Sequence, residues 1–595
     1  MNEYNEKIPN PKELEKEISE FLKNKFGNNV KLVSPKIVPQ EKTADKKEEV
    51  PEKKNKIAFD SKPEELISYL DRYIIKQESA KAILATKICT HFNRIKCYED
   101  SPEDNPEMVG GIKNNVLMIG PTGVGKTYMV KLIANKIGVP FVKGDATKFS
   151  ETGYVGGDVE DLVRSLVAEA GDDLELAEYG IVYIDEIDKI ASGGNMSGGD
   201  ISRTGVQRAL LKPMEETDVE LRAPHDQIAM MQELERFRKT GERDTRTVST
   251  QKILFIMSGA FSDLHRIIKK RMSDKTIGFG SQGLSPKEQF NILKNVKTED
   301  LVNFGFESEF IGRLPVKAIF ERLTEDDFFQ ILKNPNNPVI LGKKLDFGAY
   351  GINIRFDDSA LNILSKSAFE ENTGARGLVS AIESALLPFE KKLPSTNIKQ
   401  FPVTAFIIEN PQKALDEFLA KPDAKKWAES FEEIVTKEKE FIKEYLLSNG
   451  KGLCEKFNLN LTPFRADCVA TYYSQHITDI QNAIKKIKLY YDETQKVEVY
   501  FYNKHDIKIL LEEDALDYIA EQLINSSSDF QTVCKRISKD FEHGFKLIRE
   551  KTGSDRFYVS KQALLSPESF LSNVVDDELT IPSSQRAELK NRKKP

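Results

Sequence analysis

The octapeptide "GPTGVGKT" at 120–127 constrains this chain more than any other stretch. It fits the pattern G-x-x-x-x-G-K-T. The apolar run "NNVLMIG" (114–120) leads into it, and "YMVKLIANKIG", with helical spacing, follows it. Glycines in a strand-to-helix turn let backbone N–H groups converge on phosphate oxygens at a helix N-terminus, where the dipole favours anions. Gly120, Pro121, Thr122, Gly123, Val124, Gly125, Lys126, Thr127 and the following Tyr128 are therefore candidates to hold ATP. Lys126 is placed to reach the β- and γ-phosphates, and the Thr127 hydroxyl to bind Mg²⁺.

Downstream, "GIVYIDE" (180–186) is a second apolar run, and it ends in two acids. An acid pair at a strand end is by itself an ordinary solvated feature. Behind a phosphate loop it reads as Asp185 completing the Mg²⁺ shell and Glu186 polarising the attacking water as general base. A third run, "QKILFIMSG" (251–259), ends at Ser258. Continuous apolar strands separated by helical stretches predict an α/β fold with a buried parallel sheet between helices.

The remaining composition narrows the class. The net charge of −7 opposes nucleic acid as the main partner, because phosphate contacts favour a basic chain. The five cysteines form no C-x-x-C pair, so neither a disulfide framework nor a cysteine zinc site is expected. The N-terminus lacks a signal-peptide pattern and no apolar run is long enough to span a bilayer. A cytoplasmic protein is expected. Residues 1–38 read as an N-terminal helical module, with the helix at 11–27 ending in Gly27, and the charged, proline-containing stretch 39–57 reads as a disordered linker. An ATPase domain is expected at 58–322 and a smaller domain at 323–412, the latter helical with a late strand, "TAFIIE". The extension 413–595 includes an amphipathic helix at 431–447. "INIRFDDSALNIL" (352–364) and "IKILLEEDALDYI" (507–519) align without gaps, so 505–570 is a possible degenerate repeat of the smaller domain, with chance an equal alternative.

Three further strings carry residues whose roles are open on local grounds. "SETGYVGGDVE" (150–160) holds Tyr154 and Val155 between Gly153 and Gly156. "EFIGRLP" contains Arg313 and "NTGARGL" contains Arg376, for each of which a surface salt bridge is the default. Phosphoryl transfer needs such cations to stabilise transition-state charge.

Taken in order, "GPTGVGKT", "DATKFSETGYVGGDVEDLV", "GIVYIDEIDKI", "KILFIMSGAF", "IGFG", "EFIGRLP" and "TGARGL" resemble the ClpX family of AAA+ protein unfoldases. The resemblance spans residues 62 to 412. It implies an AAA+ large domain with a small, mostly helical α+β lid, an ATP- and Mg²⁺-dependent motor that is not itself a peptidase, and a homo-hexameric ring. Gly153, Tyr154, Val155 and Gly156 match the pore loop that grips unfolded or tagged protein substrates. Arg313 matches the arginine finger that reaches ATP on a neighbouring subunit, Arg376 the sensor-2 arginine, and Ser258 the sensor-1 position. Ile74 and Ile75, in "LDRYIIKQESAKAILA" (70–85), match the segment that packs the adenine; Lys76 stands where that family has glycine, so the local turn is open to change. Ile277, Gly278 and Phe279 match the loop that docks into a ClpP-like peptidase ring, with a loop folded back on its own domain as the alternative.

The chain departs from that family in several places. It lacks the zinc-binding N-terminal module, its segment 219–250 keeps Arg222 and His225 without the usual basic triplet, and its extension has no counterpart in ordinary members. The ungapped repeat alignment puts Gln531 opposite Arg376. The competing functional reading is an ATP-driven remodeller of protein complexes with no peptidase attached.

Overall fold

Five short, apolar strands make the central sheet: β1 (Val116–Ile119), β2 (Phe141–Asp145), β3 (Ile181–Asp185), β6 (Leu254–Gly259) and β7 (Val316–Ile319). They are all parallel in the order β2-β3-β6-β1-β7. Every residue of β1 and β6 is buried, as expected for strands covered by helices on both faces. The computed structural model describes residues 59–100, 113–149, 158–191, 201–221, 246–273, 285–421, 425–525, 530–553 and 556–580, all within one compact unit, Phe59–Pro595. The helical module and linker, the loop with Gly153, Tyr154, Val155 and Gly156, the tripeptide Ile277, Gly278 and Phe279, and Arg222 and His225 lie outside the described residues.

The register places the chemistry. Met118 pairs with Ser258 and Ile119 with Gly259, so β6 stands between the end of β1, where the phosphate loop begins, and β3, which ends at Asp185. Open parallel sheets bind ligands outside the carboxyl ends of their strands. A two-stranded antiparallel ribbon, β4 (Asp218–Glu220) with β5 (Thr247–Ser249), buries Val219 and Val248 in this core.

Beyond β7 the chain forms helices Glu325–Lys333 and Pro338–Gly348, then β8 (Asn353–Phe356), helices Asp358–Glu370 and Arg376–Lys392, β9 (Gln400–Val403), and helices Ala405–Glu409 and Pro411–Ala420. β8 and β9 pair in parallel, Ile354 opposite Phe401. This corrects the expected late strand: the strand is "QFPV", and "AFIIE" is a helix. The proline at 402 is tolerated because a two-stranded sheet has only edges. Past Thr404 the chain turns helical and buries Ile407, so the apolar run carried no strand signal of its own.

The extension opens with helices Lys425–Asn449, Lys451–Lys456 and Pro463–Gln475. The succession of the smaller domain then recurs: helix Ile480–His505, β10 (Lys508–Leu511), helices Glu513–Asn525 and Phe530–Thr552, β11 (Arg556–Val559), and helices Lys561–Leu565 and Pro567–Thr580. β10 and β11 also pair in parallel, Ile509 opposite Phe557. Gln531 is the second residue of its helix, as Arg376 is the first of its own, and Gln531 is exposed.

Helix Lys425–Asn449 lies across the β8–β9 sheet and seals a buried charge cluster there. Glu438 accepts from Lys344 Nζ at 2.5 Å and from Arg355 Nη1 at 3.0 Å, and the arginine side chain is 1% exposed. Burial alone would raise the Glu438 carboxyl; Lys344 and Arg355 outweigh it and hold it below its ordinary 4.5. A carboxylate depressed on folding stabilises above its unfolded pKa, and the contribution is lost as pH falls through the folded value. Removing one partner of a buried pair leaves a charge unpaired, at about 3–5 kcal/mol. Glu438→Gln should therefore lower stability by about 3 kcal/mol at neutral pH, and by less as pH drops below 4.5, read as the denaturant midpoint across a pH series.

Candidate active site

The phosphate loop meets the smaller domain through two glycines. Gly123 (φ +72°) and Gly374 (φ +71°) both occupy the left-handed region. A Cβ on Gly123 would sit 2.5 Å from the Thr373 carbonyl oxygen, and one on Gly374 would sit 2.5 Å from that of Thr122. This proximity lets the Ala375 N–H donate to the Gly123 carbonyl at 2.7 Å. Arg376 opens the next helix, so this backbone bond delivers it to the mouth of the phosphate loop.

Between the two domains lies a cavity of about 640 Å³, ample for a nucleotide. Residues 121–128, Asp185, Glu186 and Arg376 line its polar end; Ile74, Ile75, Val339, Leu378 and Val379 line an apolar end. Gly120 lies just behind, where a Cβ would come within 2.6 Å of the Phe320 Cβ. Gly125 (φ +91°) ends the loop and starts helix Lys126–Ile137. The Lys126 ammonium is buried and donates to the carbonyls of Gly120 (2.6 Å) and Pro121 (2.7 Å). Desolvation pushes it down to about 8, with Asp185 and Asp188 opposing and Arg376 adding to the fall.

A chain of hydrogen bonds links the first turn of helix Lys126–Ile137 to the ends of β3 and β6. Thr127 Oγ1 donates to the Tyr183 hydroxyl (3.0 Å), which lies 2.6 Å from Ser258 Oγ, and Ser258 Oγ donates to Asp185 Oδ1 (2.7 Å). The other oxygen of Asp185 is held by Lys143 Nζ at 2.9 Å. Burial would raise the Asp185 carboxyl, but Ser258 and Lys143 outweigh it and keep the group below its ordinary value. Desolvation pushes the Tyr183 phenol up to about 12, so it stays a neutral relay. Glu186 is exposed and sits at φ +58°, a left-handed turn that costs a non-glycine residue energy and is typical of functional sites.

Of the sequence-predicted residues, the phosphate loop, Ile74, Ile75, Asp185, Glu186 and Arg376 converge on one cavity. Ser258 is buried behind it, touching Asp185. Arg313 is absent from its lining; the side chain is half exposed and pairs with Glu215 at 2.5 Å. Lys76 adopts φ +61°, a left-handed value that favours glycine, and its Nζ binds Asp327 (2.9 Å) and the Arg322 carbonyl (3.1 Å). Sequence reading missed Lys143, Tyr183 and Asp188. Asp188 accepts from the Ala260 N–H at 3.1 Å and so fixes the turn after β6.

The AAA domain (Cdc48 subfamily) family model matches residues 112–317, and that of the C-terminal, D2-small domain of ClpB protein matches 323–393. The "ATP-dependent Clp protease ATP-binding subunit ClpX" of Treponema denticola is 40% identical over 337 residues, 56% of this chain and 77% of that protein. The protein of the same name from Borrelia duttonii is 38% identical over 378 residues, 63% of this chain and 85% of that protein.

The glycine contact makes a sharp prediction. A left-handed alanine costs about 1–2 kcal/mol before any clash. Gly374→Ala should weaken ADP binding roughly tenfold by calorimetric titration, while leaving the denaturant midpoint of the central sheet nearly unchanged.

Proposed function

This chain belongs to the ClpX family of AAA+ ATPases, and on that premise we propose that it is a ring-forming, ATP-driven protein unfoldase and translocase that feeds substrates to a ClpP-like peptidase. The single observation that carries the reading is the junction cavity, where the phosphate loop, the Asp185–Glu186 strand end and Arg376 meet.

The residues fit a nucleotide bound with Mg²⁺. Thr127 and Asp185 present hard oxygen ligands at the polar end. Among the described residues no group of three or more His, Cys, Asp or Glu could hold a metal alone, as suits an ion shared with phosphates. Thr127 and Asp185 would hold the ion, which would neutralise phosphate charge. Lys126 turns from its two loop carbonyls to the phosphates. Glu186 orients and deprotonates water, Arg376 senses the γ-phosphate from the smaller domain, and Ser258 keeps Asp185 oriented. Arg313, outside its own cavity, acts on a neighbouring subunit's nucleotide, which makes an isolated subunit inactive. Ile74 and Ile75 sandwich the adenine with Val339 and Val379. The ring is a homo-hexamer, and Tyr154 and Val155 grip the substrate within it. Ile277 and Phe279 dock the peptidase, as apolar anchors entering pockets. No helix among the described residues is long and apolar enough to cross a membrane, in keeping with a cytoplasmic site of action.

Two measurements follow. Glu186→Gln should cut ATP turnover at least about a hundredfold while ATP binding persists, because only the general base is lost. Lys143→Met should lower the Mg²⁺ concentration that half-saturates ATP binding by about two- to fivefold, since an exposed ion pair no longer competes for Asp185. Docking is tested by co-sedimentation with the cognate peptidase ring in ATP. Binding by the parent chain and loss of binding in Phe279→Ala, with ATPase retained, supports it. A ring that never binds the parent leaves a peptidase-independent remodeller as the function.

A further inference from the structure

The C-terminal extension reaches the nucleotide cavity from behind. Arg72 and Tyr73 immediately precede the apolar pair Ile74–Ile75, and Tyr73 itself lines the cavity beside Tyr128. The extension bonds Tyr73 directly and braces Arg72 through the smaller domain's Asn336. Gln481, in the first turn of helix Ile480–His505, donates its side-chain amide to the Tyr73 hydroxyl. The Asn336 amide donates one hydrogen to the Arg72 carbonyl and the other to the Tyr445 hydroxyl, each at 3.2 Å. Asn334 donates to the same carbonyl at 2.9 Å. The Arg72 guanidinium lies against the chain at Gly452, where a Cβ would stand 3.1 Å from Nη2.

The same helices grip the smaller domain independently. Glu438 closes the Lys344–Arg355 cluster, Lys333 Nζ stands 4.8 Å from the centre of the Phe441 ring, and Ile477 fills the space over Gly348. The extension therefore packs against both elements that flank the cavity: the segment that precedes the adenine site on the large domain, and the smaller domain that carries Arg376. Tyr73 is caught between them, its ring 5.1 Å from that of Tyr69.

We propose that the extension is part of the nucleotide-binding machinery, with Gln481 and Tyr445 acting as positioning residues that hold the Arg72–Ile75 segment in its nucleotide-competent place. The inference rests on the reading of Ile74 and Ile75 as the adenine site. It gives the extension a task at the motor's own site, where a mere appendage would have none. A ligand confined to the phosphate end would not register the contact; one with an adenine would.

The test uses the full chain and two ligands, ADP and pyrophosphate, in calorimetric titrations. Gln481→Leu and Tyr73→Phe should each weaken ADP binding by about three- to tenfold, the size of one hydrogen bond, and the double variant should be no weaker than either single one. Pyrophosphate affinity should not move, and Gln481→Leu should raise KM for ATP with kcat intact. Equal losses for ADP and pyrophosphate, independent effects that multiply in the double variant, or no effect on ADP would each overturn the proposal. If the parent chain binds pyrophosphate as tightly as ADP, the adenine-site reading itself fails, which is a separate result.

Discussion

A single backbone hydrogen bond, from the Ala375 N–H to the Gly123 carbonyl, decides where the active site of this protein can be. It forms only because Gly123 and Gly374 lack side chains and accept left-handed φ angles. With it, the phosphate loop is shared property of two domains, and Arg376 is carried to the polar end of the cavity by the helix it begins. Any rotation of the smaller domain must strain or break this contact. One donor and one acceptor thereby fix the smaller domain against the phosphate loop.

Around that contact the structure separates rigid from responsive parts. In the sheet, β1 and β6 are wholly buried, and the Thr127–Tyr183–Ser258–Asp185 chain ties the ends of β3 and β6 to helix Lys126–Ile137. The responsive groups are charged and exchangeable. Lys126 rests on two carbonyls, Lys143 rests on Asp185, and Arg313 rests on Glu215. Each has a partner that a nucleotide, a metal ion or a neighbouring subunit can replace. The extension packs against both the Arg72–Tyr73 segment and the smaller domain.

Much of this was legible in the sequence because it is local. The phosphate loop, the acid pair after β3 and the apolar strands are contiguous patterns whose geometry is set within a few residues. The late strand was misplaced because "AFIIE" is apolar without a period, and only the pairing of β9 with β8, far away in the chain, selects "QFPV" instead. Lys143 and Tyr183 were invisible for a related reason: each lies in its own strand, and only the β2-β3 and β3-β6 registers bring them to Asp185 and Ser258. Within its own subunit Arg313 pairs with Glu215, a contact its local string did not name. The packing of the extension on Arg72 and Tyr73 depends on single amides meeting over hundreds of residues, and no spacing rule encodes that.

The account stands on coupling between ATP turnover and mechanical work on protein. The most direct measurement is loss of fluorescence of a tagged, stably folded fluorescent protein mixed with this chain, ATP and a trap for unfolded molecules, with no peptidase present. The account predicts a progressive loss with ATP, and none with ADP or with the Glu186→Gln chain. Brisk ATP hydrolysis with the tagged protein bound and its fluorescence untouched would contradict it.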